Sequence, residues 1–213
     1  MAGPVVAGAV IFVPKSSKNR SVQGVALKGV VNRADLGVII NDSKKLGPAQ
    51  RRKADSWIKE NCLGWGIGEA PVSFINKHGI VSATRLAFRR AITECNRKLT
   101  LDSRHRIVDF LLVDAFYVPY TRGLRRKNQL AIIKGDQKSI SIAAASIIAK
   151  VYRDNLMSSL ARYQTVSGFA GSKYGWERNK GYGTREHQTA IRRWGPTRLH
   201  RKRFVRKLVD GKS

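Results

Sequence analysis

Hydrophobic positions along the chain alternate between short β-branched runs and longer stretches of helical period. Val5 to Val13 reads as a buried strand. Val22 to Val31 can pair as a second, and Leu36 to Ile40 is a short apolar strand. Pro48, well placed in a first turn, opens a helix to about Glu60. Gly64 to Gly68 alternates glycine with apolar residues and looks superficially like a phosphate loop. No Gly-Lys-Ser/Thr follows, so it reads as a strand that lets another backbone approach closely. Ser73 to Leu99 carries Ile80, Ala83, Ala87, Ala91 and Ile92 at helical spacing. Arg85, Arg89, Arg90 and Arg97 project from it, either as a solvated face or as a phosphate track. Phe110 to Asp114 is an apolar strand ending in an acid. A basic loop follows (Arg122, Arg125, Arg126, Lys127), and then a strand centred on Ile132 and Ile133. Gly135-Asp136 breaks that strand. A long helix from Ile140 to Met157 comes next, capped by Ser139 or Ser141, and its run Ala143-Ala144-Ala145-Ser146 allows close packing. Gly168 to Lys180 reads as a glycine-rich loop and Glu186 to Trp194 as a short helix.

Length adds that 213 residues suit one α/β domain with a substantial core. The expected boundaries are residues 1–204 for the domain and 205–213 for a basic tail. Charge changes the picture more. Lys and Arg total 41 against 14 Asp and Glu, a formal net charge of +27. Such a balance points to a polyanionic partner, because neutralised phosphates release counterions whatever their sequence. No apolar run approaches the roughly 20 residues a bilayer span needs, so a membrane is not expected. Cys62 and Cys95 lack a metal or disulfide spacing and suit reduced thiols in the cytoplasm.

Two acids stand out as candidate chemistry. Asp114 ends a strand, where α/β folds gather their ligands. Asp154 follows Lys150 by one helical turn and lies on roughly the same face. A carboxylate there is either a solvated ion-pair partner or a placed ligand. Asp42, Glu69 and Asp136 are weaker candidates. Asp42 and Asp136 read as turn caps or partners of neighbouring lysines. His187 and His200 have no evident carboxylate partner and read as structural.

Six segments occur in order: Asp42-Ser43-Lys44-Lys45-Leu46; Lys134-Gly135-Asp136; Ser141 to Lys150; Arg153-Asp154; Asn179-Lys180-Gly181-Tyr182-Gly183-Thr184; and His200-Arg201. Together they resemble the type II ribonuclease H family from Gly3 to about Phe204. The resemblance implies a ribonuclease H-like mixed sheet of about five strands flanked by helices. It implies a metal-dependent endoribonuclease that degrades RNA in RNA–DNA hybrids and cuts 5′ of ribonucleotides embedded in duplex DNA, leaving 3′-hydroxyl and 5′-phosphate ends. It matches Asp114 and Asp154 to two of four carboxylates holding Mn²⁺ or Mg²⁺, and Tyr182 to a tyrosine that packs on a sugar at the RNA–DNA junction. Lys44, Lys45 and Lys180 become phosphate contacts. The expected protein is a monomer.

The chain departs from the family at its start. Ala2-Gly3-Pro4-Val5-Val6 is present, but the Asp-Glu-x-Gly-Arg-Gly motif that should precede it is not. The expectation is a clipped first strand and an impaired enzyme. The alternative is a catalytically inactive nucleic-acid-binding protein of the same fold. Smaller departures are the Gln164 to Lys173 insertion and Arg203 in place of a usual Ser. Both suggest extra phosphate contact.

Overall fold

The structure, a computed structural model, describes residues 1–12, 38–102, 108–121, 123–166 and 171–211. Within them β1 (Val5–Ile11) pairs with β2 (Gly64–Ala70). The Leu63 N–H donates to Ile11 O at 2.9 Å, which sets the start of β2 against the end of β1. Between them lies helix α1 (Pro48–Asn61), opened by Pro48 as expected, with the Gln50 side chain accepting from the Gly47 N–H at 2.8 Å. After β2 comes α2 (Val72–Asp102), then β3 (Leu111–Asp114) and β4 (Gln129–Ile132). These two strands are parallel, with Leu111 opposite Gln129 and Asp114 opposite Ile132.

The glycines of β2 decide how that strand packs. A Cβ on Gly66 would sit 2.1 Å from Ala91 O, and one on Gly68 would sit 2.0 Å from Ala87 O. Only glycine lets this strand lie directly on the small-residue face of α2. The close-approach reading of Gly64–Gly68 therefore holds.

The chain falls into two compact units. One is Val6–Glu69 with Arg85–Val151. Its core joins Ile40, Leu46, Ala54 and Ile58 to Ala143, Ala144, Ile147, Ile148 and Val151 of helix α4 (Ile140–Val166). The alanine run does what its size suggests, since a Cβ on Gly8 of β1 would meet Ala145 O at 2.3 Å. The other unit is Met1–Val5, Ala70–Thr84 and Tyr152–Ser213, with a core of Ala2, Met157, Ala161, Tyr174, Trp176, Ala190, Ile191 and Val205. Helices α5 (Trp176–Asn179), α6 (Arg185–Trp194) and α7 (Lys202–Val209) belong to it.

Several expectations change. Four strands are seen among the described residues, as two pairs, against about five expected. Val22 to Val31 lies outside the described residues. Val38 to Ile40 is not a strand, and Leu36 and Gly37 lie outside. The long helix expected over Ser73 to Leu99 breaks at Gly79, whose φ of 82° is outside the helical region and costs glycine little. Gly135 does not simply break a strand: Gly135–Lys138 forms a helical turn, α3, before Ser139 opens α4. The Ser139 Oγ caps α4 by accepting from the Ile142 N–H at 3.5 Å, a long bond. Within the expected glycine-rich loop, residues 171–174 and 176–179 are helical turns, and 167–170 lie outside the described residues. The cationic terminus contains α7, because Val205 is buried and Leu208 packs beside it on the core.

Candidate functional site

The end of β3 is where acids gather. Asp114 closes the strand, and its Oδ1 accepts the Gly135 N–H at 2.9 Å. That bond ties the strand end to the first residue of α3. Asp136 is the next residue. Its carboxyl is held above the ordinary carboxylate range by burial, then by the charges of Asp42 and Asp114, while Lys44 opposes them. Asp42 is buried and caps a turn, its Oδ1 accepting from the Lys44 N–H at 3.0 Å and its carbonyl from the Lys45 N–H at 2.9 Å. The turn thus aims exposed Lys44 and Lys45 outward while keeping Asp42 beside Asp136.

This grouping brings Asp114 together with Asp136, which the sequence marked as a weaker candidate and read as a turn cap or a partner of neighbouring lysines. The Lys134-Gly135-Asp136 motif was the available signal. A strand end, a glycine that donates its N–H, and an acid next to it put two carboxylates at one junction. Burial and the charges of Asp42 and Asp114 together disfavour ionisation of Asp136, an arrangement that cation-binding and proton-handling sites share with structural carboxylate clusters.

The second group of expected residues lies in the other unit. Lys180, with φ 50°, and Gly181, with φ 77°, turn the backbone sharply ahead of Tyr182. The ammonium of Lys180 donates to Ser158 Oγ and to Glu177 O, and Ser158 in turn donates to the Asp154 carbonyl at 3.0 Å. Lys180 and Asp154 are therefore joined through Ser158, with Lys180 committed to local bonds. Tyr182 is 47% exposed, and the guanidinium of Arg153 lies 4.7 Å from its ring centre. Its carbonyl accepts from His187 Nδ1 at 2.8 Å.

Beneath Tyr182 sits a buried aromatic and imidazole cluster. Trp176 Nε1 donates to His187 Nε2 at 3.1 Å, and His187 Nε2 lies 3.1 Å from His200 Nε2. Tyr174 stacks on Trp176 at 5.5 Å and donates its hydroxyl to Gly195 O at 2.7 Å. Burial lowers the pKa of His187, and burial with His187 nearby takes His200 down to about 4. Both histidines are packing groups, in keeping with the structural reading of the sequence.

The donor chemistry suits a hard divalent cation, which takes oxygen ligands. The count does not. Among the described residues, no three His, Cys, Asp or Glu side chains are grouped so as to hold a metal ion. The acids present therefore fit a metal pair only in part. No helix among the described residues is long and apolar enough to cross a membrane.

Comparison with known proteins bears on the family and the fold. The family profile for ribonuclease HII matches residues 1–207. The chain is 40% identical over 209 residues to the ribonuclease HII of Roseiflexus castenholzii, covering 98% of this chain and 78% of that protein. It is 39% identical to the ribonuclease HII of Clostridioides difficile, covering 98% and 67%. Bst-RNase HIII in complex with Mn²⁺ superposes with a TM-score of 0.62 at 19% identity, over 98% of this chain and 65% of that one. The ribonuclease H2 of Pyrococcus horikoshii gives 0.55 at 20% identity, over 99% and 92%. At these identities the structural matches show the fold, an α/β fold of ribonuclease H type.

Proposed function

This chain belongs to the ribonuclease HII family, a family of ribonuclease H-type endoribonucleases, and on that footing we propose that it degrades RNA in RNA–DNA hybrids and cuts 5′ of ribonucleotides embedded in duplex DNA. The products are 3′-hydroxyl and 5′-phosphate ends. The reaction depends on Mn²⁺ or Mg²⁺, and the protein works as a cytoplasmic monomer. Asp114 and Asp154 would hold the divalent cation, which when bound would supply water activation and charge neutralisation. The chain's own residues supply ligands and positioning.

The observation that carries the proposal is the carboxylate junction at the end of β3. Asp114 is fixed by the Gly135 N–H, and Asp136 sits within reach of its charge. Asp114 and Asp154 are the acids the family pattern suggests, and the geometry adds Asp136 as the acid beside Asp114. Lys44 and Lys45 meet phosphates, and Lys180 holds the turn in front of Tyr182. Tyr182 packs on the sugar at the junction, where a 2′-hydroxyl distinguishes RNA from DNA. Asp114 and Asp154 match two of the family's four carboxylates, and on that account the expected metal affinity and turnover are low.

Cleavage of a labelled DNA duplex carrying one ribonucleotide, with Mg²⁺ or Mn²⁺, tests this reading. Asp114→Asn should abolish cleavage and spare binding. Asp136→Asn and Asp154→Asn, assayed alongside, decide which acid works with Asp114. Binding with no cleavage at any metal concentration supports the second reading, a nucleic-acid-binding protein of the same fold. The partial acid set is what favours that reading.

A further inference from the structure

We infer that Arg153 is the positioning residue for Tyr182 and sets how strongly this protein prefers a ribonucleotide-containing duplex to an all-DNA one. The inference rests on the role proposed above for Tyr182.

One guanidinium gathers three carbonyls and an aromatic ring. Nη1 donates to Lys180 O at 3.1 Å, Nη2 to Ala2 O at 3.1 Å, and Nε to Pro4 O at 3.4 Å, while Cζ lies 4.7 Å from the centre of the Tyr182 ring. The contacts divide into two functions. The bond to Lys180 O holds a turn in which a non-glycine residue has φ 50°, a conformation that persists only when its surroundings hold it. The guanidinium then faces the ring that this turn presents, as a cation–π partner.

Arg201 steadies the same segment from beside Arg153. Its Nε donates to Gly3 O at 2.9 Å and its Nη2 to Pro4 O at 2.9 Å, so two guanidiniums share one carbonyl. The tyrosine's backbone is also anchored, its N–H bonding to Asn179 O at 2.9 Å and its carbonyl to His187. Backbone anchors fix the Cα of Tyr182. The guanidinium of Arg153 adds a restraint on the ring itself. Only a planar fork with several donors can stack and bond three carbonyls together, so lysine is not a substitute here. A ring held in one orientation loses less freedom when a sugar docks on it, and selectivity for that sugar rises accordingly.

The test is equilibrium binding, which reads selectivity without turnover. Fluorescence anisotropy compares a duplex carrying one ribonucleotide with the identical all-DNA duplex. The proteins are the wild type, Arg153→Met, Arg153→Lys, Tyr182→Ala and the double variant Arg153→Met/Tyr182→Ala. Arg153→Met should lower the preference ratio by about two- to fivefold, as expected for loss of a partly exposed cation–π contact. Arg153→Lys keeps the charge and should not restore the ratio. In the Tyr182→Ala background, Arg153→Met should cause no further loss, because both changes remove one unit. If the Met variant does not fold, Arg153→Gln keeps amide donors but not the guanidinium stack, and carries the same readout. An unchanged ratio in Arg153→Met, or an equal further loss in the Tyr182→Ala background, overturns the inference while the wild-type preference still stands. A wild type with no preference overturns the Tyr182 reading itself, and this inference with it.

Discussion

His200 Nε2–H donates to His187 Nε2 across 3.1 Å, and neighbouring bonds fix which nitrogen carries each proton. His187 Nδ1 faces the Tyr182 carbonyl at 2.8 Å, which can only accept, so Nδ1 is protonated and Nε2 is the acceptor. His200 Nδ1 accepts the Thr197 N–H at 2.8 Å, so its proton sits on Nε2. Both rings are neutral and wholly enclosed. A proton added to His187 Nε2 would face two donors, Trp176 Nε1–H and His200 Nε2–H.

Acid stability follows from that pair. The folded pKa of His200 is about 4 and that of His187 is lowered, against an ordinary 6.5. The unfolded chain therefore takes up protons first as pH falls. The stabilisation is complete above about pH 6.5 and is lost as pH falls from there toward about 4, by roughly 3 kcal/mol from His200 alone, with His187 adding in the same direction. Urea unfolding at intervals from pH 8 to pH 4, followed by tryptophan fluorescence, should show this slope. A His200→Phe variant should be less stable at pH 7 and should show a flatter profile.

Asp136 illustrates a trade between activity and stability. Its charge is opposed by burial, Asp42 and Asp114. Because its folded pKa is raised, the ionised form is disfavoured, and the destabilisation it causes is present at neutral pH and relieved in acid. Asp136→Asn should therefore raise Tm at pH 7 in the presence of EDTA while lowering cleavage. A Tm that falls instead would mean that the carboxylate is satisfied in the fold.

The lysines divide by how they are engaged. Lys44 and Lys45 are exposed, whereas the Lys180 ammonium is committed to Ser158 and Glu177. Lys44→Ala should weaken binding to duplexes uniformly and reduce the slope of log affinity against log salt by about one. Lys180→Ala should leave that slope nearly unchanged and act on stability instead. Titrations between low and moderate salt separate the two behaviours.

Gly68 has no room for a side chain, since any Cβ there meets Ala87 O at 2.0 Å and Ala91 N at 2.4 Å. Gly68→Ala forces strand and helix apart and should cost about 1–3 kcal/mol or more. Thermal unfolding measures it. The same change at Gly123, where nothing lies within 4 Å of the added Cβ, is a control whose cost comes from its φ of 78° alone.

The sequence by itself determined the local elements. Pro48 opens α1, the Gly-apolar alternation of residues 64–68 makes a strand that sits close against a helix, and the alanine run of α4 packs tightly. These features depend on neighbours a few residues away, so period and side-chain size suffice to read them. Ordered motifs were enough to point to the family, because they preserve residue type along the chain. Tertiary structure decided what is near what. Asp136 looks like a turn residue until the Gly135 N–H bonds Asp114 and places two acids at one junction. Arg153 is only the neighbour of Asp154 in a short motif until its guanidinium bonds the carbonyls of Ala2, Pro4 and Lys180. His187 and His200 become neutral only when burial removes the water that would stabilise their charge. Each of these depends on residues tens of positions apart, and the spacing of residues along a sequence carries no direct record of such contacts.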